Sequence, residues 1–173
     1  MSVSKTRCQE IFEEVVEEFD FSDIPIADSL DMKLHFNKTI SALGCCKWKR
    51  INNKCYYAIY LSEYALEDEE LIRNTIAHEL VHTCPHCKNH GKYFKQYGAM
   101  VKTKLGYNIQ TKAGEKEAKK SGIKDAITAK AKYYIKCCDC GQGFYRMKRS
   151  KVVAYPSEYR CGRCGGHLKV KTL

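Results

Sequence analysis

The residues best suited to chemistry are His78, Glu79 and His82, in the run His78-Glu79-Leu80-Val81-His82. On a helix, side chains four positions apart project from one face, so His78 and His82 can hold a single metal ion. Glu79 stands beside them, where it can take a proton from a water on that metal. Zinc with three protein ligands keeps its fourth position for water, lowers the pKa of that water toward about 7 and polarises a carbonyl. Hydrolysis of a peptide bond is the expected chemistry, with Glu79 as the general base.

Two histidines downstream compete for the third ligand position. His86 follows His82 by four residues and would extend the same helical face, but Pro85 removes a backbone donor and clashes with the preceding turn. His90 lies beyond a short loop that can carry the chain back beneath the metal, and Gly91 beside it permits a sharp turn into the next helix. This geometry favours His90. Lys88 occupies the position where a metzincin would place its third histidine, which argues against that class.

A second metal signal lies near the C-terminus. Cys137-x-x-Cys140 and Cys161-x-x-Cys164 are separated by 20 residues, the pattern of a four-thiolate structural zinc site. Such a site has no open position and should support folding rather than catalysis. Cys138 is out of register, and Cys8, Cys46 and Cys55 read as core or bystander thiols. Between the pairs, Phe144, Tyr145, Arg146, Lys148, Arg149, Lys151, Tyr155, Tyr159 and Arg160 interleave rings with cations. They can either meet a nucleic-acid backbone and its bases or fill a small core under solvated charges. The Cys84-Pro85-His86-Cys87 tetrad looks like a redox centre, but it follows a helix C-terminus, where no helix field stabilises a thiolate, which leaves a regulatory or auxiliary metal role or a plain loop.

Several elements must position these groups. Cys8, Ile11, Phe12, Val15, Val16 and Phe19 recur at helical spacing within residues 4–21. Residues 30–36 and 54–61 read as strands, with turn-prone Asn52-Asn53 between them. Asp68, Glu69 and Glu70 should open the helix that carries the histidines, with Ile72, Ile76 and Leu80 as its buried stripe and Pro85 as its stop. A further helix is expected over residues 92–105. The fold class is therefore α+β: a small zincin-like domain at residues 1–108, a basic, partly helical linker at 109–132 and a zinc ribbon at 133–173.

Charge divides the chain in the same place. Residues 1–100 carry 12 Lys and Arg against 15 Asp and Glu, and residues 101–173 carry 18 against 5, giving the net charge of +10. A field of that sign attracts polyanions, so DNA is the expected partner, bound without sequence preference by residues 109–173. The 11 cysteines and the lack of an apolar leader or membrane span suggest free thiols and metal ligands in a reducing cytoplasm, on a nucleoid or in a nucleus.

The order of these motifs resembles the SprT-like (Spartan-related) zinc metalloprotease family. The similarity rests on Ser41-Ala42-Leu43-Gly44-Cys45, His78-Glu79-Leu80-Val81-His82, His90-Gly91-Lys92-Tyr93-Phe94 and the four-cysteine ribbon. It implies His78, His82 and His90 as ligands of a catalytic zinc, Glu79 as the catalytic residue, and proteolysis of DNA-associated, including DNA-crosslinked, proteins. The sequence departs from the family pattern at Cys84-Pro85-His86-Cys87. Two other readings use the same residues: a non-catalytic, zinc-stabilised DNA-binding or regulatory module, and a zinc hydrolase acting on something other than peptide.

Overall fold

A computed structural model of the chain describes residues 2–40, 42–109 and 123–173. It divides into two compact units, Met1–Ile123 and Lys124–Leu173. The fold is α+β, with mixed helices and small sheets and a C-terminal four-cysteine cluster compatible with a zinc ribbon.

In the first unit, α1 (Lys5–Asp20) starts at Ser4, whose hydroxyl accepts the Arg7 backbone N–H at 3.1 Å. Its apolar stripe, Cys8, Ile11, Phe12, Val15, Val16 and Phe19, is buried in full, as the spacing predicts. Helix α2 (Glu69–Val81) packs against it, starting at Asp68, whose carboxylate accepts the Leu71 N–H at 2.8 Å. Ile72, Ile76 and Leu80 lie in the core between α1, α2 and a small sheet. Arg7 of α1 pairs with Glu69 of α2, and Arg73 of α2 with Glu14 of α1, tying the outer edges of the two helices together.

The sheet has the order β1-β3-β2, with β1 (His35–Asn37) parallel and β2 (Gly44–Ile51) antiparallel to β3 (Lys54–Ser62). This corrects the expectation of two strands. Of residues 30–36 only the end is strand, and Leu30 makes an isolated bridge to Tyr57. Asn52 and Asn53, with φ of 46° and 63°, form the two-residue turn of the β2–β3 hairpin. Strand β2 escapes a reading by alternation because it lies at the sheet edge and is exposed from Lys47 onward, so polar residues occupy both its faces.

Helix α2 ends at Val81 with His82 as its C-cap, before Pro85 is reached. Tight turns then close Thr83 onto Leu80 and Cys84 onto Val81. Helix α3 (Lys92–Leu105) follows and ends on Gly106 at φ 78°. Most of the basic stretch 109–132 lies outside the described residues, and its last part is helix α4 (Ile123–Lys130).

The second unit is built on a sheet of order β5-β4-β6, formed by β4 (Tyr133–Cys137), β5 (Gly143–Arg146) and β6 (Leu168–Thr172), all antiparallel. Its buried apolar side chains are few, chiefly Ile135, Cys137 and Cys161. A core this small does not hold an isolated three-stranded sheet without an added constraint such as a metal.

The Asp68 cap is open to a direct test. Asp68→Ala should lower the stability of the first unit by about 1 kcal/mol, the usual cost of losing an N-cap. Urea denaturation read through the single tryptophan, Trp48, which lies in this unit, measures it. An unchanged midpoint would show that the cap adds nothing here.

Candidate metal centres

Helix α2 presents His78 one turn before His82, and the loop after the helix returns His90 to them. The Nε2 atom of His90 lies 3.0 Å from that of His78 and 3.1 Å from that of His82. Nitrogens bound at 2.0–2.1 Å to one tetrahedral ion lie roughly 3.3 Å apart, so the triad is close to the spacing that zinc requires. His90 is exposed, which leaves the centre open to solvent on one side. His86 is not part of the group. It sits at φ 62° with its ring 5.2 Å from that of Tyr93.

Two contacts orient the triad. His82 Nδ1 lies 2.7 Å from the Cys87 carbonyl oxygen, so the proton belongs on Nδ1 and the Nε2 lone pair is free for a metal. Phe94, buried at the start of α3, lies under all three rings at centroid distances of 4.9, 4.6 and 4.6 Å. Histidine rings resting on an apolar surface keep few alternative rotamers, which preorganises the ligand set.

The Cys84–Cys87 turn supplies that carbonyl. Both side chains are buried in the core, and the Cys87 N–H donates to the Cys84 carbonyl at 3.2 Å. Burial pushes the Cys84 thiol up to about 12 and raises that of Cys87 as well, so neither favours the thiolate that redox chemistry uses. Among the described residues these two cysteines belong to no metal-ligating group.

Gly91 does not use the conformational freedom its type suggests: its φ of −75° is ordinary, and the one close approach a Cβ would make, 2.8 Å to Asn89 Oδ1, is to the end of an exposed side chain. That same oxygen accepts the Gly91 N–H at 3.0 Å. The pair forms the bend between His90 and α3.

Glu79 is only 7% exposed. Burial pushes its carboxyl up to about 7, against a smaller opposing pull from the Cys46 backbone N–H. The first residues of β2 cover it: a Cβ on Gly44 would lie 2.8 Å from Thr75 Cγ2, 3.0 Å from Glu79 Cγ and 3.2 Å from Glu79 Oε1. Gly44 therefore lets the strand pass directly over the carboxyl. Spacing alone gives no sign of this contact, nor of the Cys87 carbonyl. Gly44 and Phe94 do stand within the stretches that carry the family resemblance, although Ser41 of the first stretch lies outside the described residues.

In the second unit, Cys137, Cys140, Cys161 and Cys164 converge with their sulfurs within 4.8 Å of one another. The Cys137–Cys164 and Cys140–Cys161 sulfurs are 3.5 and 3.6 Å apart. Thiolates bound at 2.3 Å to a tetrahedral zinc lie about 3.8 Å apart, so the four residues fit such an ion. Each pair sits in a tight turn completed by a left-handed glycine, Gly141 at φ 71° and Gly165 at φ 74°. Backbone N–H groups of Arg163 and Cys164 favour the Cys161 thiolate, the form that binds metal. Cys138 is exposed and outside the cluster. Both groups can hold metal ions, and both donor sets suit zinc.

Comparison with known proteins agrees with this arrangement. The model of the SprT-like family matches residues 8–113. Proteins named "Protein SprT-like" from two strains of Staphylococcus epidermidis are each 26% identical to this chain over 144 residues, covering 80% of it and 81% of their own length. No solved structure matches. With its family-matched region spanning the histidine triad, the buried glutamate and the strand above it, the chain belongs to the SprT-like family.

Proposed function

We infer that this protein is a zinc metalloendopeptidase acting on DNA-associated proteins, including proteins crosslinked to DNA. SprT-like proteins form a metalloprotease-like family, which supports the reaction class. The observation that carries the reading is the placement of Glu79, a carboxyl buried next to one of three converging histidines. A purely structural site of three histidines has no use for such a group.

His78, His82 and His90 would hold the ion. Zinc bound there supplies Lewis acidity, which lowers the pKa of water and polarises a carbonyl. Glu79 accepts the proton of the attacking water and passes it to the leaving amine. Burial raises the carboxyl above the usual carboxylate range and a bound cation opposes that rise, so the two together set how readily Glu79 takes and releases a proton. Gly44 positions Glu79 by allowing β2 to close over it.

The preference for DNA-associated substrates is supported by the second unit. A depression of about 590 Å³ there is lined by Phe144 and Tyr159 together with Arg146, Arg160 and Arg163. Rings beside guanidinium groups suit a nucleobase and its flanking phosphates, without reading sequence. The site of action is thus inside the cell where DNA is found. Among the described residues no helix is long and apolar enough to cross a membrane.

Three measurements test this reading. Elemental analysis should find two zinc ions per chain, one held by the four thiolates and removed slowly, the other at the open histidine centre and removed readily by chelator. A single zinc in carefully prepared protein would contradict the assignment. Glu79→Gln should retain zinc and DNA affinity while cleavage of a DNA-bound protein falls at least about 100-fold, the lower end of what general acid–base catalysis supplies. Near-normal cleavage by that variant would remove Glu79 from the mechanism, and absence of cleavage by the wild type would make the protein a binding module. Gly44→Ala should also keep its zinc, yet lose roughly 10- to 100-fold in cleavage because the added methyl displaces Glu79. Full activity in that variant would show that the approach of β2 does not position the carboxyl.

A further inference from the structure

Charge is segregated within the first unit as well as between units. From Met32 to Ser62 the chain has six Lys or Arg and no Asp or Glu, whereas the rest of residues 1–100 has six against fifteen. Strand pairing decides where these cations go. Cys45, Lys47, Lys49 and Ile51 of β2 lie opposite Tyr60, Ala58, Tyr56 and Lys54 of β3. Ile59 and Leu61 of β3 alternate to the other side, where they are fully buried in the core. The first set therefore forms the outward face of the sheet, and Lys47, Lys49, Lys54 and Tyr56 on it are exposed.

The side chains on this face are arranged over rings. Lys47 Nζ stands 4.0 Å above the Tyr60 ring, whose plane is also stacked on His35 at 4.8 Å, and Lys54 Nζ lies 5.7 Å from the Tyr56 ring. Among the described residues none of the three lysines is in an ion pair. Lys47 and Lys49 are two residues apart on a strand, about 7 Å, which is inside one Debye length at physiological salt. Like charges that close repel unless an anion lies between them. Fifteen acids elsewhere in residues 1–100 were available to neutralise them, and none falls within this stretch.

We propose that the outward face of this sheet, carrying Lys47, Lys49, Lys54, Tyr56 and Tyr60, is a further nucleic-acid contact surface, on the protease unit itself. It takes the phosphodiester backbone of a single strand. Lys47 and Lys49 along β2, with Lys54 beside them on β3, complement a chain of evenly repeated negative charges, and the exposed Tyr56 among them offers a ring to an unpaired base. This rests on the nucleic-acid half of the function inferred above and is independent of the proteolytic half.

The test uses the full chain carrying Lys47→Gln, Lys49→Gln and Lys54→Gln together, compared with wild type and with a chain carrying Arg146→Gln and Arg163→Gln. Anisotropy of a fluorescein-labelled oligothymidylate is measured over a series of salt concentrations. Each phosphate neutralised on a single strand contributes about 0.7 to the salt slope, so the triple variant should lose about 2 from it and at least about tenfold in affinity at low salt. Each single lysine variant should lose about 0.7, which guards against a folding defect peculiar to the triple variant. Unchanged slope and affinity in the triple variant, alongside loss in the arginine variant, would overturn the sheet surface and leave DNA binding by the second unit intact. If the wild type bound no oligonucleotide, both would fall. Loss of binding to labelled poly-glutamate with unchanged oligonucleotide binding would assign the face to an acidic protein, and this too would overturn the proposal.

Discussion

An ionisable carboxyl costs several kcal/mol to bury without a partner, and a protein that buries one must either neutralise it or hold it beside a compensating charge. Glu79 is in this position. It lies on the core side of α2, under the first residues of β2, and burial pushes its carboxyl up to about 7. The features around it follow from that constraint: a helix anchored through Ile72, Ile76 and Leu80, a strand beginning with glycine, and a loop that brings a third histidine back to the two on the helix. A cation among those histidines would pull the carboxyl back down, so metal and glutamate are coupled in charge as well as in position.

The loop from Thr83 to Gly91 completes the ligand set. Proline after the helix, a left-handed His86 and two thiols sunk in the core produce a turn that delivers one backbone carbonyl to His82 and one imidazole to the ligand set. The cysteines act as small apolar anchors. Their burial makes them poor thiolates, and the same burial fixes the turn.

The two units solve the problem of size differently. The first has enough apolar surface to close a core around α1, α2 and its sheet. The second has little more than Ile135 between its strands, and four sulfurs gathered within 4.8 Å take the place of a larger interior. One unit thus gathers three histidines at a solvent-open centre beside a full core, while in the other four thiols that could hold an ion stand where a larger core would be.

The sequence by itself determined the parts of this protein whose physics is local. Helix periodicity placed all six buried residues of α1 and the stripe of α2, and the four-residue step put His78 and His82 on one face. The two Cys-x-x-Cys turns were equally legible, because the ligand spacing of a thiolate site is set by short-range backbone geometry. Tertiary structure alone decided the rest. Strand β2 was unreadable because an exposed edge strand has no buried face to impose alternation. Gly91 proved to have an ordinary φ, and the value of Gly44 appeared only when Thr75 and Glu79 were seen against it. The Cys87 carbonyl leaves no trace in residue type at all, since every residue carries one. Contacts between segments distant in the chain depend on which surfaces the core brings together, and neither spacing nor composition records that.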